Sequence, residues 1–188
     1  MYYLDNVSTV YRFTENDIPH FITMTLVEWI DLFNRQRYKD IIIDSLKFCI
    51  KEKGLIVHAY VIMPNHIHAI IRTRNDESLS SVVRDFKRYT AKALYETLKS
   101  DKHESRRNWL TWIVESQGVK SASNQDMKMW RHENHPIPLD MGNMVEQRIQ
   151  YIHENPVRAG IFYTPEDYVY SSAGVYAGEV GVLEVEIL

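Results

Sequence analysis

Apolar residues recur along the chain with two different periods, and the switches between them mark the predicted elements. Residues 21–27 set threonines against apolar neighbours at alternate positions, the pattern of a half-buried strand. Residues 28–36 carry Trp29, Ile30, Leu32 and Phe33 but are too short for a regular element, and read as a loop with a helical turn. Residues 37–53 place Tyr38, Ile42, Leu46 and Cys49 at helical spacing, and Gly54 stands where a C-terminal cap belongs. An unbroken run of β-branched and aromatic residues, 55–63, predicts a buried strand. Pro64 and Asn65 reverse the chain, and a second strand runs from His66 to near Arg72. Residues 75–78 hold cap chemistry ahead of a second long helix, 79–99, with Leu79, Val82, Val83, Phe86, Thr90, Ala93, Leu94 and Thr97 as its core stripe.

The second half of the chain is less regular. Residues 101–125 are polar at both ends around Trp109, Leu110, Trp112, Ile113 and Val114, which predicts a short helix and then a loop. Residues 127–133 read as a strand, broken by the proline-containing stretch 134–138. Asn143 is placed to cap a helix running to about residue 154, with Val145, Ile149 and Ile152 turned inward and Pro156 as its stop. The tyrosine-rich segment 163–177 is expected to pack back over the body, with 180–188 as an edge strand or tail. Residues 1–19 read as a loosely structured lead-in. No internal repeat or low-complexity segment is present.

Composition narrows the class. At 188 residues, 45% apolar and 25% charged, the sequence is that of one soluble domain with a real core. A formal net charge of -3 argues against wholesale coating of a duplex, which needs a large positive field, yet allows a local basic groove. Arg84, Lys87, Arg88 and Lys92 gather on one face of the second long helix. Such a face is usually a solvated surface, and gains meaning only beside a polyanion. The single cysteine, Cys49, excludes a disulfide framework and a cysteine-rich zinc site, and reads as a buried inert thiol. Neither a signal peptide nor an apolar run long enough for a bilayer is recognisable, so a cytoplasmic location without membrane contact is the expectation, nucleoid-associated when bound to DNA.

Two stretches carry chemistry. In Met63-Pro64-Asn65-His66-Ile67-His68 the two histidines share one face of a strand just past a turn, where both imidazoles can reach one metal ion. Alone, that spacing also describes two ordinary strand histidines. In Tyr151-Ile152-His153-Glu154-Asn155-Pro156 the tyrosine and asparagine lie four residues apart on a helix and project from one face. Asn155 can offer an amide oxygen to a hard cation, and Tyr151 a phenolic oxygen as nucleophile. A phosphodiester resists attack through its anionic oxygens, and a cation held by two imidazoles and an amide lowers that barrier. A tyrosine attacking phosphorus stores the bond energy in an ester that a free hydroxyl end can reverse. His153 points elsewhere on the helix and reads as structural, His135 as a turn residue, and Glu154 as solvated.

Taken together these two motifs resemble the HUH endonuclease superfamily with a single catalytic tyrosine. Within it, the chain resembles the IS200/IS605-like transposases and, most of all, the REP-associated tyrosine transposases. The resemblance runs from the first strand to Tyr170-Ser171-Ser172 and covers most of the chain. It implies an α+β fold, a ferredoxin-like or RRM-like antiparallel sheet packed between helices. It implies one such domain over residues 1–188, with an insertion near 101–125 and a C-terminal extension at 163–188 that separate it from the smallest relatives. It implies His66 and His68 as ligands of Mg²⁺ or Mn²⁺, Asn155 at the third-ligand position, and Tyr151 as nucleophile. The substrate would be single-stranded DNA beside a hairpin of the REP-palindrome kind, cut through a 5′-phosphotyrosine link and rejoined. Arg84, Lys87, Arg88, Lys92 and Arg158 would contact phosphates, and the protein would act as a monomer or homodimer. Two other readings stand beside this one: a catalytically idle RRM-like module that only binds a nucleic-acid hairpin, and a small-molecule phosphoesterase, which would need no tyrosine.

Overall fold

The computed structural model describes residues 18–74, 77–121, 126–139 and 142–188, with only the backbone of Asn143 included. The expected lead-in falls almost wholly outside these residues. The elements are β1 (His20–Thr25), α1 (Gln36–Glu52), β2 (Leu55–Ile62), β3 (His66–Thr73), α2 (Leu79–Ser100), α3 (Arg107–Val119), β4 (Ile137–Pro138), α4 (Gly142–Arg158) and α5 (Ala173–Tyr176). Two 3-10 turns, Val27–Trp29 and Leu32–Asn34, fill the stretch between β1 and α1. The strands form an antiparallel sheet in the order β2-β3-β1-β4. The succession β1-α1-β2-β3-α2-β4 is that of a ferredoxin-like fold, as expected. Among the described residues no helix is long and apolar enough to cross a membrane.

Alternation along the strands divides the core in two. Ile22, Met24, Ile67, Ala69 and Ile71 pack with α1, α2 and α3 on one face. Phe21, Ala59, Val61, Met63 and Ile70 pack with Ile149 and Ile152 of α4 on the other. In β2 the register slips between Val57 and Ala59. This bulge at His58 lets Leu55 and Val57 before it, and Tyr60 and Ile62 after it, all face α1 and α2. His58 is buried, and both ring nitrogens are used: Nδ1–H donates to the Glu186 carbonyl at 2.7 Å and Nε2 accepts from Arg72 at 3.1 Å.

Residues 101–119 are integral to the first core. Leu110, Ile113 and Val114 of α3 are buried in it. The buried Asp101 and Glu104 ahead of α3 are met by Arg37 at 2.7 Å and Arg35 at 2.9 Å respectively, which fastens the start of α1 to the α2–α3 junction. Cys49 is buried as expected, and burial pushes its thiol up to about 11.

Three local expectations are corrected. Residues 127–133 do not form a continuous strand. They run beside β1 with separate bonds, Val27 N–H to Met129 O, Arg131 N–H to Thr25 O and Thr23 N–H to Asn134 O, and a single bridge between Leu26 and Trp130. His135, at φ 44°, kinks the chain after them, and the expected breaker Ile137–Pro138 becomes β4, paired with His20 and Phe21. An edge position tolerates Pro138 because its missing N–H faces away from the ladder. Second, α4 starts at Gly142, so Asn143 lies within the helix rather than capping it. Third, Pro156 does not end α4, which continues to Arg158. It sits in the last turn, where only the bond to the Ile152 carbonyl is forgone. Ala159 N–H to Asn155 O at 3.0 Å closes the turn, and Gly160 at φ 70° lets the chain leave it.

The segment after α4 covers the outer edge of β2. Ile62 N–H donates to Tyr170 O, Ser172 N–H to Tyr60 O and Glu186 N–H to Val57 O. Residues 180–188 are therefore a tail that pairs with β2 at one point rather than a strand.

Candidate active site

β3 begins immediately after the Pro64-Asn65 turn, so its first residues stand at the open end of the sheet. His66 and His68 share the face that α4 covers, and their ring centroids are 4.6 Å apart. Thr23 is the direct cross-strand partner of His68, and its Oγ1 lies 2.8 Å from His68 Nδ1. Asn65 Oδ1 lies 2.6 Å from His66 Nδ1. The Asn65 amide is oriented by its Nδ2, which donates to the Trp29 carbonyl at 3.4 Å. An amide oxygen only accepts, so His66 carries its proton on Nδ1 and keeps the Nε2 lone pair free. The same tautomer of His68 lets Nδ1–H donate to Thr23 and Nε2 accept from Tyr151. Burial holds His66 down to about 4. Burial, with His66 and Arg148 nearby, holds His68 down to about 3. Both imidazoles are therefore neutral at physiological pH, the state in which they can ligate a metal.

α4 brings Tyr151 to this pair from 83 residues further along the chain, with its hydroxyl 3.4 Å from His68 Nε2. Ile149 and Ile152 anchor the helix in the second core while Tyr151 lies half-buried at its margin. The ring of Tyr151 meets His68 edge-on at 5.2 Å. Phe21 stacks on His68 at 5.4 Å and meets the Tyr151 ring edge-on at 6.1 Å, so the three rings form one cluster. Two guanidinium groups flank the aromatic cluster: Arg148 lies 4.9 Å from the Phe21 ring and Arg158 5.8 Å from the Tyr151 ring.

Not every residue singled out by the sequence joins this cluster. Asn155 follows one turn after Tyr151 and is half-buried, with no hydrogen bond to the histidines among the described residues. No group of three His, Cys, Asp or Glu side chains suited to a metal occurs among the described residues. Arg158 also pairs with Glu154. The basic face of α2 lies across the sheet from the histidines: Arg84 and Arg88 pair with Asp85, and Lys92 lies 3.8 Å from Glu96. Lys87 is tied down, donating to the Arg131 carbonyl at 2.7 Å and to Asn134 Oδ1 at 2.6 Å, and burial lowers it to about 8. His153 is structural, 2.8 Å from Ser172 Oγ.

Sequence reading missed Thr23, Phe21 and Arg148, and gave Asn65 only a turn role. Thr23 and Phe21 are visible as alternating strand residues, but their place beside His68 depends on the β1–β3 register. The signal for Arg148 is its position one turn before Tyr151 on the same helix.

Comparisons with known proteins bear on the family and the fold. Residues 19–132 match the family described as IS200-like transposase. No curated protein matches the chain. The fold is similar to that of a REP-associated tyrosine transposase bound to a REP hairpin, with a TM-score of 0.60 and 18% identity over 93% of this chain and 89% of that one. A crystal structure of a candidate transposase from Deinococcus radiodurans R1 aligns at a TM-score of 0.42 and 13% identity, over 77% of this chain and 95% of that one. The family match spans more than half of the chain, from β1 through both histidines and past α3: the chain belongs to the IS200-like transposase family.

Proposed function

We propose that this transposase cuts and rejoins single-stranded DNA next to a hairpin, with Tyr151 as nucleophile. The reading is carried by one observation: the Tyr151 hydroxyl lies 3.4 Å from His68 Nε2, beside a second histidine held in the same neutral tautomer. Tyr151 Oη attacks the scissile phosphorus, the bond from phosphorus to the 3′ oxygen breaks, and the 3′ end leaves as a hydroxyl. The product is a 5′-phosphotyrosine ester, which a 3′ hydroxyl can attack in reverse to rejoin a strand. The phenolic proton leaves to solvent as the attack proceeds, because the His68 Nε2 lone pair is committed to the cation, and the departing 3′ oxygen takes up a proton from water.

The donor set suits a divalent cation. His66 and His68 through Nε2, with the Asn155 amide oxygen, would hold Mg²⁺ or Mn²⁺. Such an ion supplies charge neutralisation at the phosphate oxygens. Thr23 and Asn65 orient the imidazoles for that task, and Arg148 and Arg158 sit where they can meet phosphates of the entering strand. Arg84, Arg88 and Lys92, on the far face of the sheet, would serve flanking DNA. A hairpin substrate is supported by the REP hairpin bound to the structural relative.

Tyr151→Phe tests the reading, because it removes one oxygen and keeps the ring. A hairpin with single-stranded flanks, incubated with Mg²⁺ or Mn²⁺, should form a denaturant-resistant adduct with the wild type and none with the variant. Binding of the same DNA should change by less than about twofold. An adduct with Tyr151→Phe would overturn the assignment. Binding without any adduct in the wild type would leave the idle hairpin-binding module as the function.

A further inference from the structure

The 3-10 turn Val27–Trp29 lies beside the histidine pair, with the Trp29 ring edge-on to His66 at 6.3 Å. Its role in holding the Asn65 amide uses only its backbone carbonyl. Two successive residues in it, Glu28 and Trp29, are non-glycine residues in the left-handed region, with φ of 48° and 54°. Strain of this kind persists only where the surroundings enforce it, and it clusters at ligand contacts. Its consequence here is an indole 55% exposed, a large apolar surface left in water next to the reaction centre.

Trp29 forms one wall of a cleft of about 380 Å³, within the size range of ligand pockets. Lys128, Arg131 and His132 also form its walls. The Arg131 guanidinium lies 5.5 Å from the Trp29 ring centroid, so a cation and an aromatic plane share the same space. Glu28 and Glu133 complete the rim, and each already has a partner: Gln117 Nε2 donates to Glu28 at 2.7 Å, and His135 lies 3.3 Å from Glu133. Behind the wall, Lys87 grips the carbonyls of Arg131 and His132, which fixes the segment that presents the cations. An aromatic plane joined to paired cations is the chemistry that holds an unpaired nucleotide, base on the ring and phosphate on the cations.

We propose that this cleft binds one unpaired nucleotide of the substrate strand adjoining the scissile phosphate, its base stacked on Trp29 and its phosphate held by Arg131 and Lys128. The proposal rests on the nuclease reading above. It makes Trp29 a binding residue that positions the strand against His66.

The test measures binding with the full chain in chelator, so that no cleavage intervenes. The probe is a fluorescein-labelled DNA hairpin with thymidine tails, and a set of copies carrying an abasic residue at each tail position in turn. Trp29→Ala should weaken binding about 5- to 100-fold, and Trp29→Phe, which keeps a stacking ring, by less than about threefold. One abasic position should reproduce the loss in the wild type and add nothing to Trp29→Ala. The abasic series leaves the protein unchanged, so it reads the pocket even if Trp29→Ala lowers the melting temperature. Equal binding by Trp29→Ala and wild type, or abasic penalties that add in full at every position, would overturn the pocket. If the wild type binds these probes and forms the tyrosine adduct once Mg²⁺ is added, such a result removes the pocket alone. If the wild type binds none of them, the nuclease reading falls with it.

Discussion

One hydroxyl and one amide decide which nitrogen each histidine offers. Thr23 and Asn65 occupy Nδ1 of His68 and His66, leaving both Nε2 atoms toward Tyr151's side of the sheet. Thr23→Val keeps the shape and removes the partner, so His68 loses its fixed tautomer. Mn²⁺ affinity should fall about 10- to 100-fold by calorimetric titration, with the melting temperature little changed. The same burial gives a pH signature in the metal-free protein. His66, His68 and His153 are held down to about 4, 3 and 4, below the usual 6.5. Between those values the unfolded chain binds more protons than the folded one. Stability is therefore complete above about pH 6.5 and falls as the pH drops towards 3, by about 3 kcal/mol each for His66 and His153 and about 5 kcal/mol for His68 if the titrations run to completion. Denaturant melts at pH 7 and pH 5 check this; equal stability at the two would mean the rings are better hydrated than their positions indicate.

At the scale of elements, what was legible followed periodicity. The stripes of α1 and α2, the buried run of β2 and the turn into His66 are readable because each repeats its signal over several residues. The two residues of β4 are not, because Ile137–Pro138 is a strand only by virtue of the β1 edge beside it. The helical continuation through Pro156 was hidden for a similar reason, since proline is tolerated near a helix end when local bonds close the turn. In the site, His66, His68 and Tyr151 were readable from spacing, whereas Thr23, Phe21 and Arg148 needed the register and the packing of α4. The stretch around α3, expected as an addition to the basic fold, gives Leu110 fully to the main core. Leu110→Ala should destabilise the protein by about 2–5 kcal/mol, the cost of a buried cavity, measured by urea unfolding. A loss under about 0.5 kcal/mol, the range of surface substitutions, would show that α3 is peripheral.

For the whole molecule, the sheet separates two tasks. One face is filled by α1, α2 and α3 and holds the larger core, and the other carries the histidines and receives Tyr151 from α4. That division leaves β2 at an edge, where unpaired backbone invites another chain. The C-terminal segment meets this need. Tyr170 and Ser172 pair with the far end of β2, and Glu186 pairs with Val57 while its carbonyl accepts from the buried His58. Leu183 adds a buried side chain to the main core. Deleting residues 182–188 would remove that side chain and leave His58 Nδ1–H without its acceptor. The expected loss is about 3 kcal/mol or more, together with concentration-dependent self-association through the uncovered edge. Glu186→Ala separates the two effects, because it keeps the backbone bonds and removes only the partly exposed ion pair to Arg72. It should cost less than about 1 kcal/mol and remain at the size of the wild type in light scattering. If the truncated chain instead keeps the wild-type size at every concentration, the edge is protected by something other than this tail, and the residues around Tyr170 become the place to look.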